Sequence, residues 1–135
     1  MNAEQVYDEL YQVLRDAWNG AGLDMDHIVY EGTDGQAPEG EVVWCRVKLE
    51  HTGEEIASSG ESNLIERQAE YQVEINAPSG AGPTQAYEVG TAIQQAFYGA
   101  DTEVDKNEVP IGEVGVEGSN YRVDVNVILT YYTST

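Results

Sequence analysis

The sequence predicts a two-layer α+β domain, with about five mostly antiparallel strands in one mixed sheet and two helices packed on one of its faces. Three observations predict this fold class. Residues 65–76 alternate apolar and polar side chains, the period of a strand with one buried face. Residues 121–132 alternate in the same way near the end of the chain. Residues 3–19 and 83–98 instead place apolar side chains at steps of three and four, as amphipathic helices do.

The first helix, predicted over residues 3–19, has a wide apolar face. Asn2 is a suitable N-cap, and Asn19 followed by Gly20 is a suitable end. Two neighbouring stripes form the apolar face: Val6, Leu10, Val13 and Ala17 in one, and Tyr7, Tyr11, Leu14 and Trp18 in the other. We therefore expect this helix to pack on the sheet beside the second helix.

The middle of the chain predicts a strand, a turn and a helix in succession. The strand over residues 65–76 is stopped by a segment rich in glycine and proline, residues 77–82. Pro83 suits the first turn of a helix, where its missing N–H leaves no hydrogen bond unmade. The helix stripe consists of Ala86, Val89, Ile93 and Phe97. Gly99 follows as a C-terminal stop.

Three further strands are expected at residues 27–30, 42–50 and 108–116. Pro110 and Gly112 interrupt the last of these, which favours a position at the edge of the sheet. No linker or internal repeat divides the chain, so residues 1–135 are predicted to form a single domain.

A polar segment rich in glycine and serine joins the strands 42–50 and 65–76. It predicts a hairpin arm around residues 50–63 with a mobile tip, and it places His51 in a loop. If the flanking strands pair, Arg46 and Lys48 can face carboxylates across the polar side of the sheet. The candidate carboxylates are Glu66, Glu70 and Glu74.

The charge balance is the strongest compositional signal. The chain has 25 acidic and 6 basic residues, a formal net charge of −19. Self-repulsion of this size destabilises a compact state in low salt and is screened at 1 M salt, where the Debye length is about 3 Å. The composition resembles that of proteins from organisms that live in molar salt, and the alternative is an acidic protein of a mesophile. It also argues against an extended basic patch for binding nucleic acid.

Apolar runs long enough to span a membrane are absent from the sequence, and the N-terminal region has neither the basic start nor the apolar run of a secretory signal. The chain is therefore expected to be soluble and made in the cytoplasm. The single Cys45 lies on the apolar side of the 42–50 strand, where a small buried hydrophobe is expected rather than a nucleophile.

No motif in the chain predicts catalysis. Gly80 and Gly82 lie between a strand and a helix, but Gln85 occupies the third glycine position of a dinucleotide fingerprint. Residues 24–27 lack the alternating oxygen ligands of a calcium loop. Ser79 lacks the glycine two positions before it that a nucleophile elbow uses, and His51 has no spaced partner that would make it a zinc ligand. We expect no enzyme activity, no catalytic residue, no cofactor and no metal site.

Four segments together resemble the tail terminator (tail completion) proteins of long-tailed bacterial and archaeal viruses. They are the strand VVWCRVKL, the strand and turn YQVEINAPSGAG, the helix end IQQAF and the last strand YRVDVNV. The resemblance covers most of the chain. It implies a homo-oligomeric ring, usually a hexamer, that binds the end of the tail tube and stops its polymerisation.

The same resemblance implies a virion protein at the head-proximal end of the tail, with the tail tube protein and a neck or head-completion protein as partners. Viral DNA would pass through the ring without specific binding. The residues proposed for contacts between subunits or with the tube are Trp44, Arg46, Glu66, Glu70, Glu74 and Tyr132. Two alternatives remain open: another tail or neck protein, such as a tube or connector subunit, or a small ligand-binding or enzymatic domain of a halophile.

Overall fold

The computed structural model describes residues 1–30, 36–56 and 64–134. It has the predicted two-layer α+β architecture, with two helices and one mixed sheet. The elements are α1 (Ala3–Gly20), β1 (Ile28–Tyr30), β2 (Trp44–Ile56), β3 (Leu64–Pro78), α2 (Thr84–Gly99), β4 (Asp105–Glu108), β5 (Ile111–Glu117) and β6 (Asn120–Ser134). Short 3-10 turns at Met25–His27 and Ser79–Ala81 precede β1 and α2.

The described part of the sheet has six strands rather than five. Their order is β1-β2-β3-β6-β4, and β5 also pairs with β6. β1 runs parallel to β2, whereas the other neighbours are antiparallel. The single irregular strand expected over residues 108–116 is divided into β4 and β5. Pro110 lies at the division, because proline has no N–H to give to a strand ladder.

The register of β3 separates a buried face from an open one. Val73 pairs with Val47 and Val125, and all three side chains are fully buried beneath the helices. The next residue, Glu74, pairs with Arg46 and Asp124 on the opposite side. We call this opposite side the open face. The alternation read from residues 65–76 and 121–132 therefore assigns the two faces correctly.

Helix α1 begins with a reciprocal capping box. The Asn2 side chain accepts a hydrogen bond from the Gln5 N–H, and the Gln5 side chain accepts one from the Asn2 N–H, each at 2.9 Å. The buried line of the helix draws residues from both predicted stripes: Val6, Leu10, Leu14 and Trp18. Trp18 Nε1 donates to the Asp24 carbonyl at 2.8 Å, so the indole can be buried with its donor satisfied.

A glycine allows helix α2 to lie close to the sheet. This glycine is not part of the predicted apolar stripe. Gly90 is buried, and a Cβ added there would meet Val123 Cγ1 at 3.2 Å. Ala86, Val89, Ile93 and Phe97 are buried as predicted. Pro83 is the N-cap rather than the first helical residue, and Gly82 before it has φ +73°, a conformation that favours glycine.

The expected arm is largely strand where the structure describes it. Residues 50–56 belong to β2, so His51 is in a strand and not in a loop. The register shifts between His51 and Gly53, which leaves Thr52 as the extra residue of a bulge. The sequence predicts an end at residue 50 because the segment that follows is polar and rich in glycine and serine. Its residues 51–56 nevertheless continue the strand beyond the bulge. Residues 57–63 of the expected arm lie outside the described residues.

Candidate functional site

The six proposed contact residues all lie on the open face, but in two separate groups. Trp44 and Arg46 pair with residues at the C-terminal end of β3, where Glu74 lies. Tyr132 pairs with Glu66 at the other end of β3. Ten residues of strand separate the partner of Trp44 from Glu66, a distance of about 33 Å. Glu70 lies between the two groups, so the open face is a long surface rather than a compact site.

The aromatic residues of this face differ in how much surface they offer. Trp44 is only 8% exposed, and the Arg46 guanidinium lies 5.4 Å from the centre of its ring. Tyr132 is 42% exposed. Of the two, Tyr132 is therefore the aromatic side chain that can contact a partner, whereas Trp44 serves as the platform on which the exposed Arg46 rests.

Arg122 is the main cation of the open face, although it is not among the six proposed contact residues. Its guanidinium contacts Glu74 at 3.1 Å, Glu117 at 3.1 Å, and Asp124 at 2.8 and 3.0 Å. Hydrogen bonding to Asp124 is the largest cause of a raised Arg122 pKa. A sequence signal existed, since Arg122 and Asp124 are two residues apart in one strand and so share a face. Pairing across the sheet was the missing information.

The expected pairing of Arg46 and Lys48 with the β3 carboxylates needs correction. Arg46 is directly opposite Glu74, yet Glu74 binds Arg122 while Arg46 lies over Trp44. Lys48 is opposite Gln72 and its nearest carboxylate is Glu50, at 3.8 Å within its own strand. These residues do lie on one face of the sheet, as expected. The side-chain conformations determine which ion pairs form among them.

The helix side of the sheet carries a polar hollow of about 360 Å³ near the start of α1. His51 Nε2 and the Tyr131 hydroxyl lie 2.7 Å apart in its wall, and Arg67 lies 3.4 Å from Glu54 beside them. The lining also includes Asn2 and Thr133. His51 thus has a partner that no sequence spacing indicated, because Tyr131 is 80 residues away.

A shallow groove of about 580 Å³ runs along the outer side of α2. Its lining residues are Pro83, Thr84, Tyr87, Glu88, Thr91, Ala92 and Gln95. At one end, the Tyr87 and Tyr121 hydroxyls both donate to Glu113, the former at 2.8 Å. This cluster connects α2, β5 and β6, because each element supplies one of the three residues.

We expect the Glu113 carboxyl to titrate below its ordinary pKa of 4.5. Hydrogen bonds from Tyr121 and then Tyr87 favour the carboxylate and lower the Glu113 pKa, and the same bond to Glu113 raises the pKa of Tyr121 to about 12. The pKa of Glu113 is lower in the folded state than its ordinary value of 4.5. The Glu113 carboxylate therefore stabilises the fold above pH 4.5, and this stabilisation is lost as the pH falls through the folded-state pKa. Carboxyl-carbon NMR of the wild type and of a Y87F/Y121F variant measures this shift. The prediction is wrong if Glu113 has the same pKa in both proteins.

The residues considered above for catalysis or metal binding are either buried or take part in local turns. Burial raises the pKa of the fully buried Cys45 thiol, so its reactive thiolate is disfavoured. Asp24 caps the 3-10 turn at Met25–His27 by accepting from the Asp26 N–H at 2.9 Å. Ser79 opens the other 3-10 turn, and its N–H donates to the Ser119 carbonyl. Across residues 1–30, 36–56 and 64–134, no three His, Cys, Asp or Glu side chains are grouped to hold a metal ion.

None of the helices in the described ranges is long and apolar enough to cross a membrane. A comparison with protein-family models gives no match for this chain, and a comparison with curated proteins finds no significant relative.

Proposed function

We propose that this chain is a structural virion protein that caps the tail tube of a long-tailed virus as a homo-oligomeric ring, with six subunits as the expected number. The ring ends polymerisation of the tail tube protein and forms the tail side of the head-tail junction, where a neck or head-completion protein binds. The four sequence segments quoted above and the two-layer fold support this proposal. An acidic composition suited to molar salt supports a halophilic archaeal host.

The observation that carries the proposal is the open face of the sheet. It extends along the whole of β3 and is rich in carboxylates, including Glu66, Glu70 and Glu74. A surface of this kind can line a channel for DNA, because carboxylates repel phosphates and do not hold the passing duplex. Arg122 limits the repulsion among the carboxylates at one end of this face.

The two lateral edges of the sheet also support assembly into a ring. Within residues 1–30, 36–56 and 64–134, β1 pairs with only Cys45, Arg46 and Val47, and the remainder of β2 is an edge strand on one side. The other side is formed by β4 and β5. A contact between these unlike edges would be heterologous, and a heterologous contact generates a closed ring when the rotation between subunits closes.

Reversing one charge tests the role of the open face. We expect R46E to weaken ring assembly, because Arg46 is exposed on this face and its replacement adds a further carboxylate beside Glu74. Light scattering in molar KCl measures the mass of the assembly. R15E is the matched control, since Arg15 is exposed on α1, away from the open face. Equal assembly of R46E and wild type would contradict a subunit contact at this face.

A further inference from the structure

Two apolar patches lie on the helix side of the part of the chain that the structure describes. The first, the arm patch, consists of Ile56 and Ile65, which are directly opposite each other in β2 and β3. Ile56 is 77% exposed and Ile65 is half-buried, so neither α1 nor α2 fully covers this end of the sheet. The second, the distal patch, consists of Val116, which is 71% exposed, and the adjoining Tyr87 and Pro83 at the start of the α2 groove. Single exposed apolar residues are ordinary, but paired residues on an uncovered sheet face indicate a contact surface.

The two patches lie at opposite ends of the molecule. The arm patch is at Ile65 of β3, whereas Val116 pairs with Tyr121, which pairs with Ala77. The twelve residues of strand between Ile65 and Ala77 correspond to about 40 Å. The patches of one copy therefore cannot cover each other, although those of two copies can.

Charge favours a contact between unlike patches over a contact between like ones. Arg67 lies on the same side as Ile65 and is partly exposed, and its pair with Glu54 is long at 3.4 Å. The distal patch is bordered by carboxylates, with Glu88 in the groove and Glu113 in β5. Two distal patches would repel each other, whereas Arg67 complements the distal rim.

We infer that the arm patch of one copy docks on the distal patch of the next copy, with Ile56 and Ile65 against Val116 and the beginning of the α2 groove. This inference rests on the proposed ring and adds to it a subunit contact on the helix side of the sheet. The contact joins two different surfaces, so each copy binds one neighbour with its arm patch and the other neighbour with its distal patch. Repetition of the contact closes a ring or extends a filament, but it does not stop at a dimer.

Cysteine cross-linking tests the contact directly. In a C45A background, the double variant I56C/V116C is treated in molar KCl with a short bifunctional maleimide. We expect a ladder of covalent species up to the ring size, with about tenfold more product than in I56C/D8C, because short cross-links require close Cβ atoms. Asp8 is exposed on α1 and provides the matched control. The single variants I56C and V116C should give no ladder.

Light scattering of the untreated double variant separates failure of this contact from failure of the ring. A ring mass without cross-links would overturn the inference and leave the proposed function intact. Dimers from I56C alone would also overturn it, because they indicate arm-to-arm pairing. A monomer in molar salt would overturn both. A ladder of cross-linked species that extends beyond the mass of any closed ring would support the contact. It would also indicate that the protein is a tube subunit and not a terminator.

Discussion

Replacing Phe97 with alanine is expected to lower the free energy of unfolding by about 3–5 kcal/mol. Phe97 is fully buried near the end of α2, and its ring centre lies 6.1 Å from that of the buried Tyr71 on β3. Truncation removes apolar contacts and leaves a cavity between the helix and the sheet, which the surrounding strands cannot fill. Domains of this size have total stabilities of about 5–15 kcal/mol, so the loss is a large fraction of the whole.

Urea unfolding in molar KCl, followed by circular dichroism, measures the effect of F97A. Q95A is the control, because Gln95 is exposed on the same helix and should change stability by less than about 0.5 kcal/mol. Equal midpoints for F97A and Q95A would mean that α2 does not pack on β3 as described.

Replacing Arg122 with alanine is expected to lower the free energy of unfolding by about 2–3 kcal/mol in low salt. The guanidinium is 22% exposed and contacts Glu74, Glu117 and Asp124. Without it, three carboxylates that already carry part of a net charge of −19 lose their common cation. The loss should shrink in molar salt, since screening weakens the remaining repulsion.

Thermal unfolding of R122A at low and molar KCl tests this expectation. R67A is the matched control, because Arg67 has the single carboxylate Glu54 at 3.4 Å in the described part of the chain and should lose less than about 1 kcal/mol. The account of the open face is wrong if R122A and R67A have equal effects, or if the loss in R122A does not depend on salt.

The parts of the fold that were predictable have strong periodicity. Residues 65–76 and 121–132 alternate without a bulge, so both faces of the two central strands could be assigned from the sequence. The helices likewise follow from their apolar stripes and from the Asn2 cap. These signals depend only on neighbours in sequence.

The features that were missed depend on pairing or on backbone irregularity. The bulge at Thr52 reverses the alternation of β2, and the polar segment after residue 50 does not indicate the strand over residues 51–56. Pro110 divides one expected strand into two that share the edge of β6. The choice of Glu74 by Arg122 and the meeting of Tyr87 with Glu113 are decided by rotamers and cross-strand register, which composition does not encode.

The most direct test of the proposed ring is its mass in solution. Light scattering coupled to size exclusion, in molar and in low KCl, measures the number of subunits in each condition. We expect one closed species near six subunits in molar salt, and dissociation or unfolding when the salt is lowered and the charge of −19 is no longer screened. A monomer at every salt concentration, or an assembly that grows without limit, would contradict a self-assembling terminator ring.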